Sequence, residues 1–91
     1  MAAFLRANDL ADHRLGLTAS TKAIGKSVDR NRARRLLREI FRRSGGELAG
    51  LKKRYDWVIN AKRSLLSANE ELRFREFRRI VEQVGRDERR G

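Results

Sequence analysis

The sequence predicts an α+β fold, a small two-layer sandwich with the element order β-β-α-β-α. Three observations lead to it: short stretches of alternating polarity, two long segments of helical periodicity, and no proline to interrupt either. Three strands make one layer and two helices the other. A chain of 91 residues hides only about two-thirds of its unfolded surface, so a thin core is expected. The expectation is one domain over 1–91, its ordered core at about 2–84 and a charged, frayed tail at 85–91.

Ala2 to Ala7 is a short, mostly apolar run closed by Asn8-Asp9, and it reads as a first strand. Arg14 to Ser20 alternates, with Leu15, Leu17 and Ala19 on one face and Gly16, Thr18 and Ser20 on the other, and is the second. Thr21 to Ser27 reads as a basic, glycine-containing connection. Ser27 or Asp29 is placed to cap a helix that runs to about Ser44, where Gly45-Gly46 is expected to stop it. Tyr55 to Lys62 alternates Tyr55, Trp57, Ile59 and Ala61 against Asp56, Val58, Asn60 and Lys62, which defines a third strand. Ser67 with Glu70 three residues later forms a capping-box signature for a last helix ending near Val84. On its wheel Phe74, Phe77, Ile80, Val81 and Val84 share the core stripe.

The first helix holds the functional signal. At about 100° per residue, Ala33, Leu36, Leu37, Ile40 and Phe41 fall on one arc and Asn31, Arg34, Arg35, Arg38 and Arg42 on the opposite one. One face packs and the other is cationic. From Lys22 to Arg43 nine Lys and Arg stand against two acids, Asp29 and Glu39, so a net +7 of the chain's +11 lies in under a quarter of its length. A face that serves only solubility mixes signs. Here Arg34, Arg38 and Arg42 repeat at i,i+4 spacing without matching acids, which disfavours the helix by itself and points to an external polyanion.

A sequence pI of about 11.5 agrees with such a partner, either nucleic acid or an acidic membrane surface. The absence of cysteine excludes a disulfide framework and thiolate metal sites. Met1 to Leu5 lacks the layout of a signal peptide, and no apolar run approaches the ~20 residues of a membrane span, so a cytoplasmic location is expected. Ala23-Ile24-Gly25-Lys26-Ser27 matches the end of a P-loop, but the glycine required five residues before Gly25 is Ser20. His13, the one histidine, sits in a predicted turn without partners for a triad or metal site and reads as a loop residue. Glu70, Glu71 and Glu76 lie among arginines, and no paired carboxylates suggest general acid-base chemistry. The expectation is no catalytic residue and no metal or cofactor bound by the protein alone.

No helix-turn-helix spacing, zipper or zinc site sets a DNA register. RNA fits better, because a basic helix beside a sheet bearing Phe4, Tyr55 or Trp57 combines phosphate contacts with base stacking. Tyr55 and Trp57 alternate with their strand, and such aromatics are more often core.

Read continuously, Thr21-Lys22-Ala23-Ile24-Gly25-Lys26-Ser27-Val28-Asp29-Arg30-Asn31-Arg32-Ala33-Arg34-Arg35-Leu36-Leu37-Arg38-Glu39-Ile40-Phe41-Arg42 resembles the signature of the bacterial ribonuclease P protein subunit. That family has a Ser-Lys-Lys-x-Gly turn leading into an Arg-Asn-Arg helix that continues as Lys/Arg-Arg-x-x-Arg-Glu-x-Phe-Arg. Arg14-Leu15-Gly16-Leu17-Thr18 and Tyr55-Asp56-Trp57-Val58-Ile59 look like its flanking strands. The resemblance covers about Ala2 to Val84.

The resemblance implies a small basic protein, monomeric within its ribonucleoprotein, that binds a large catalytic RNA. Together they remove the 5′ leader from precursor tRNA, and the RNA performs the hydrolysis with Mg²⁺. Lys22, Lys26, Arg30, Asn31, Arg32, Arg34, Arg35, Arg38 and Arg42 are the implied RNA contacts, and Phe4 is the implied stacking residue for the single-stranded leader. The family's crossover between the strands flanking the helix is left-handed, against the usual rule. The sequence departs from the pattern at Ala23, Thr21 and Asp29, the last placing an acid directly before Arg30. The family also begins with a helix and a strand before the segment matching Ala2 to Ala7. The expectation is therefore a reading frame that starts upstream, or a shortened form with impaired leader binding. The alternatives are a ribosome-associated or general basic RNA-binding protein without a role in tRNA processing, and a membrane-surface or DNA-packaging protein.

Overall fold

The computed structural model describes residues 1–90. Its strands are β1 (Ala2–Asn8), β2 (Arg14–Thr18) and β3 (Arg54–Asn60). The helices are α1 (Thr21–Ile24), α2 (Ser27–Arg43), α3 (Gly45–Ala49), α4 (Ser64–Ser67) and α5 (Glu70–Arg90). The α+β sandwich therefore stands, with three one-turn helices added to the expected order. The sheet order is β1-β3-β2, with β1 antiparallel and β2 parallel to the central β3. A parallel neighbour needs a crossover, and α1, α2 and α3 supply it.

The register sorts the strand residues into two faces, because side chains alternate and aligned residues point the same way. Ala3, Ile59 and Leu17 form one inner row, and Leu5, Trp57 and Leu15 the next. Against these rows α2 lays Ala33, Leu37 and Ile40, and α5 lays Phe77 and Val81, all buried. Trp57 is fully buried at the centre, with its ring 5.6 Å from that of Phe77 and 6.2 Å from that of Phe41. Phe74, Ile80 and Val84 pack half-buried beside them, as the α5 stripe predicts.

Several local expectations need correction. The Thr21–Ser27 connection contains α1, because the Ser20 hydroxyl accepts the Ala23 amide and starts a helical turn. Gly25 ends that turn at φ 95°, a conformation that strains any side chain. Neither Ser27 nor Asp29 caps α2; its N-cap is Lys26, which makes no side-chain capping bond. Gly45-Gly46 does not stop the helical path in a left-handed turn. The path bends at buried Ser44, whose amide donates to the Ile40 and Phe41 carbonyls, and both glycines enter α3. Asn69 rather than Ser67 caps α5, its side chain accepting the Leu72 amide at 2.9 Å, while the Ser67 hydroxyl donates to the Ser64 carbonyl and closes α4.

The expected frayed tail is helical through Arg90, and Gly91 lies outside the described residues. Glu88 explains the difference. Its carboxylate accepts the Lys52 and Lys53 amides at 2.9 and 3.0 Å and the Tyr55 hydroxyl at 2.6 Å, fastening the last turns of α5 to the start of β3. Burial pushes the Tyr55 phenol up, and its bond to Glu88 adds to this, to about 12. Burial also opposes ionisation of Glu88, but the three hydrogen bonds outweigh it and hold the carboxyl below its ordinary value.

Candidate nucleic-acid interface

The apolar stripe of α2 fixes its rotation on the sheet, and that rotation turns Asn31, Arg32, Arg35, Arg38 and Arg42 to solvent. Arg32, Arg35 and Arg38 form no hydrogen bond or ion pair among the described residues. Arg34 is half-buried and donates to Asn31 Oδ1 at 3.0 Å. Arg42 is compensated, contrary to the uncompensated series expected from i,i+4 spacing, because its guanidinium holds both oxygens of Glu39. At the far end Arg43 pairs with Glu70 and lies 4.7 Å over the Phe74 ring.

The other end of α2 is a braced corner. Arg30 is half-buried and donates to the Thr21 hydroxyl, while its Nε is buried without a partner. Arg63, from beyond β3, donates to the Ile24 carbonyl and ties α1 to that segment. Lys22 and Lys26 remain exposed on either side of Gly25. The nine residues expected on the basic surface thus lie on one continuous piece of chain, α1 through α2. Arg32, Arg35, Arg38, Lys22 and Lys26 are its freest charges, and Arg30 is partly structural.

The aromatic candidates separate by strand parity. Tyr55 and Trp57 point inward; Trp57 is 0% exposed and Tyr55 half-buried, so neither offers a ring face to solvent. Phe4 points outward and is 61% exposed. It is aligned with Val58, itself 42% exposed, and Val58 with Gly16, giving an apolar row across the outer face. Beside it runs the row Arg6, Asp56 and Arg14. The Arg14 guanidinium grips Asp56 through Nε at 2.8 Å and Nη2 at 2.9 Å, and Asn8 donates to the same carboxylate at 2.9 Å. Sequence reasoning missed this row, although strand alternation alone places Arg6, Arg14 and Asp56 on the polar side.

His13 is not a free loop residue. Its Nδ1 accepts the Tyr55 amide at 3.0 Å and the Trp57 indole N–H at 3.1 Å, which leaves Nε2–H to donate to the Leu48 carbonyl at 3.1 Å. The ring stacks on Tyr55 with centroids 5.9 Å apart. It fastens α3 to β3 and satisfies the one polar atom of the central tryptophan. Because its partners lie 35 to 44 residues away, no local pattern marks the role. Among the described residues no three His, Asp or Glu side chains converge on a metal-sized site.

A cationic helix seated on a three-stranded sheet with exposed Phe4 and Val58 on its outer face makes this a small basic α+β protein. The sequence model of the family described as Ribonuclease P matches residues 1–85, and the chain belongs to that family. It is 45% identical over 64 residues to the ribonuclease P protein component of Methylococcus capsulatus, a match covering 70% of this chain and 47% of the relative. It is 37% identical over 82 residues to that of Stutzerimonas stutzeri, covering 90% and 60%. The chain thus spans about half the length of the curated relatives it matches. Among solved structures it is similar to the RNase P protein of Thermotoga maritima, with TM-score 0.64 and 30% identity over 92% of this chain and 74% of that one.

Proposed function

We propose that this chain acts as the protein subunit of ribonuclease P. It binds the catalytic RNA and the 5′ leader of precursor tRNA and promotes removal of the leader. The observation that carries the reading is the face of α2, where Arg32, Arg35 and Arg38 stand free of internal acids on a helix whose other side is locked into the core. Uncompensated charge at that spacing destabilises the isolated chain and is relieved by phosphates. Membership of the family supports a structured RNA as the partner.

In this reading Lys22, Lys26, Arg30, Asn31, Arg32, Arg34, Arg35, Arg38 and Arg42 contact RNA, with Arg42 the weakest because Glu39 already holds it. Phe4 stacks a leader base on the outer sheet face. In this reading Mg²⁺ is the ion of the catalytic RNA, which carries the chemistry. The protein supplies binding and orientation as a monomer within the ribonucleoprotein. No described helix is long and apolar enough to cross a membrane, and the cytoplasm, where tRNA is processed in bacteria, is the proposed location.

The test is cleavage of precursor tRNA by ribonuclease P RNA at low Mg²⁺, with and without the protein. The protein is expected to raise the rate, and Arg35→Ala with Arg38→Ala to remove most of the gain. Tight RNA binding without any gain in cleavage would assign the chain to general RNA binding instead.

A further inference from the structure

The outer sheet face holds an acid where an RNA surface would do better electrostatically without one. Asp56 lies at the middle of the Arg6, Asp56 and Arg14 row, on a protein of net charge +11. A carboxylate there repels phosphate, so its presence calls for a compensating role. Its hydrogen bonds show one. Both carboxylate oxygens are taken by the Nε and Nη2 edge of Arg14, and Asn8 braces Oδ1 from β1. A two-point fork fixes the plane of a guanidinium in a way that one contact does not. Arg14 is nevertheless 64% exposed, so the fixed guanidinium remains open to solvent. Arg6, aligned with Asp56 on the other side, forms no hydrogen bond among the described residues and keeps its charge available.

Along the strands this row is two residues from the Phe4, Val58 and Gly16 row, about 6.5 Å away. That spacing is close to the step between neighbouring nucleotides in an extended single strand. Gly16 carries no side chain, which leaves the strip flat between Val58 and Arg14. Guanidinium planes stack on nucleobases as aromatic rings do.

We propose that Arg14, oriented by Asp56, is a second stacking platform for single-stranded RNA, adjacent to the Phe4 and Val58 strip, with Arg6 meeting the intervening phosphate. The inference rests on the reading that the outer face receives the leader and adds a positioning residue to it. Asp56 acts only through Arg14. It stays ionised for this role across the physiological range, because the hydrogen bonds from Arg14 and then Asn8 hold its carboxyl down at about 2.

The two electrostatic accounts predict opposite signs. If Asp56 matters only as a charge, Asp56→Asn tightens RNA binding. If it orients Arg14, the same substitution weakens it. The probe is a short oligoadenylate carrying one 2-aminopurine, followed by anisotropy for affinity and by 2-aminopurine quenching for stacking. Asp56→Asn is expected to weaken binding about fivefold, with reduced quenching and no decrease in the salt dependence. Arg14→Lys, which keeps the charge and loses the fork, is expected to show the same two losses; it decides the matter if Asp56→Asn fails to fold. Binding by Asp56→Asn as tight as the parent chain, or tighter, overturns the platform. If Phe4→Ala weakens binding in that case, the leader still lies on this face. If Phe4→Ala is also without effect, the reading of the outer face as the leader site falls as well.

Discussion

Helices α2 and α5 contain seven arginines each, but α2 sets two acids against them and α5 six. Most of the acids of α5 are in use. Glu71 pairs with Arg75, Glu70 receives Arg43 from α2, Glu76 receives the N-terminal ammonium of Met1, and Glu88 fastens the helix to β3. Of its arginines, Arg73 donates to the Leu65 carbonyl and Arg86 to Gln83. Among the described residues Arg78, Arg79, Arg89 and Arg90 of α5 have no such partner, nor do Arg32, Arg35 and Arg38 of α2, but on α5 six acids share the helix. Both helices pack against Trp57 from the same side of the sheet, through Phe41 and Phe77. Arginine content therefore does not distinguish the two helices; the balance of signs does.

Removing the shared support abolishes the contrast altogether. Phe77→Ala empties a fully buried site beside Trp57 and is expected to cost about 3–5 kcal/mol, most of the stability of so small a fold. Urea titration followed by tryptophan fluorescence measures it, and RNA binding should vanish with folding. Charge removal on the two outer faces comes next. Arg35→Ala with Arg38→Ala should weaken binding to the catalytic RNA at least tenfold, whereas Arg78→Ala with Arg79→Ala on α5 should change it less than threefold, by filter binding at one salt concentration.

Cutting an acid out of α5 should act on the fold instead. Glu88→Gln leaves the Lys52 and Lys53 amides and the Tyr55 hydroxyl with a weaker acceptor, for about 1–2 kcal/mol of lost stability. The parent chain also has a pH signature here. With Tyr55 raised from 10 to about 12, the folded state holds a proton that the unfolded state releases between those values. The associated stability is fully present below pH 10 and lost as pH rises toward 12, and thermal melts across that window should show it. Burial alone keeps part of the shift in Glu88→Gln, so its decline should begin at the same pH, which the unfolded state sets, but level off at a lower pH with a smaller total loss. Cutting an acid out of α2 should do the reverse of the α5 change. Glu39→Gln frees Arg42 and is expected to tighten RNA binding by no more than about twofold, with stability nearly unchanged, since exposed pairs contribute under about 1 kcal/mol.

The elements that sequence reveals best are those whose signal is local and repeated. The Ala33, Leu37 and Ile40 stripe, the Phe77 and Val81 stripe and the alternation around Trp57 all recur within a turn or a strand, and each buries the side it predicts. Alternation also separates exposed Phe4 from buried Trp57. What stayed hidden depends on partners far along the chain. The last turns of α5 look like a charged tail until Glu88 meets Lys52, Lys53 and Tyr55, and Gly85 is tolerated there with Leu51 packed against it. His13 looks idle until the fold brings Tyr55, Trp57 and Leu48 to its ring. The order β1-β3-β2 follows from neither periodicity nor composition, since it depends on which strand β3 inserts beside. The cationic face was legible because it is local; the Arg14 and Asp56 fork on the outer face was not, because its partners are 42 residues apart.

The central claim is that the open arginines of α2 meet RNA phosphates and those of α5 do not. The salt dependence of binding to the catalytic RNA measures this most directly, because each phosphate contact contributes about 0.7–0.9 to the slope of log affinity against log salt. Arg35→Ala with Arg38→Ala should lower the slope by about 1.5, and Arg78→Ala with Arg79→Ala should leave it where it stands. Equal slopes for the parent chain and the α2 double variant would contradict the account.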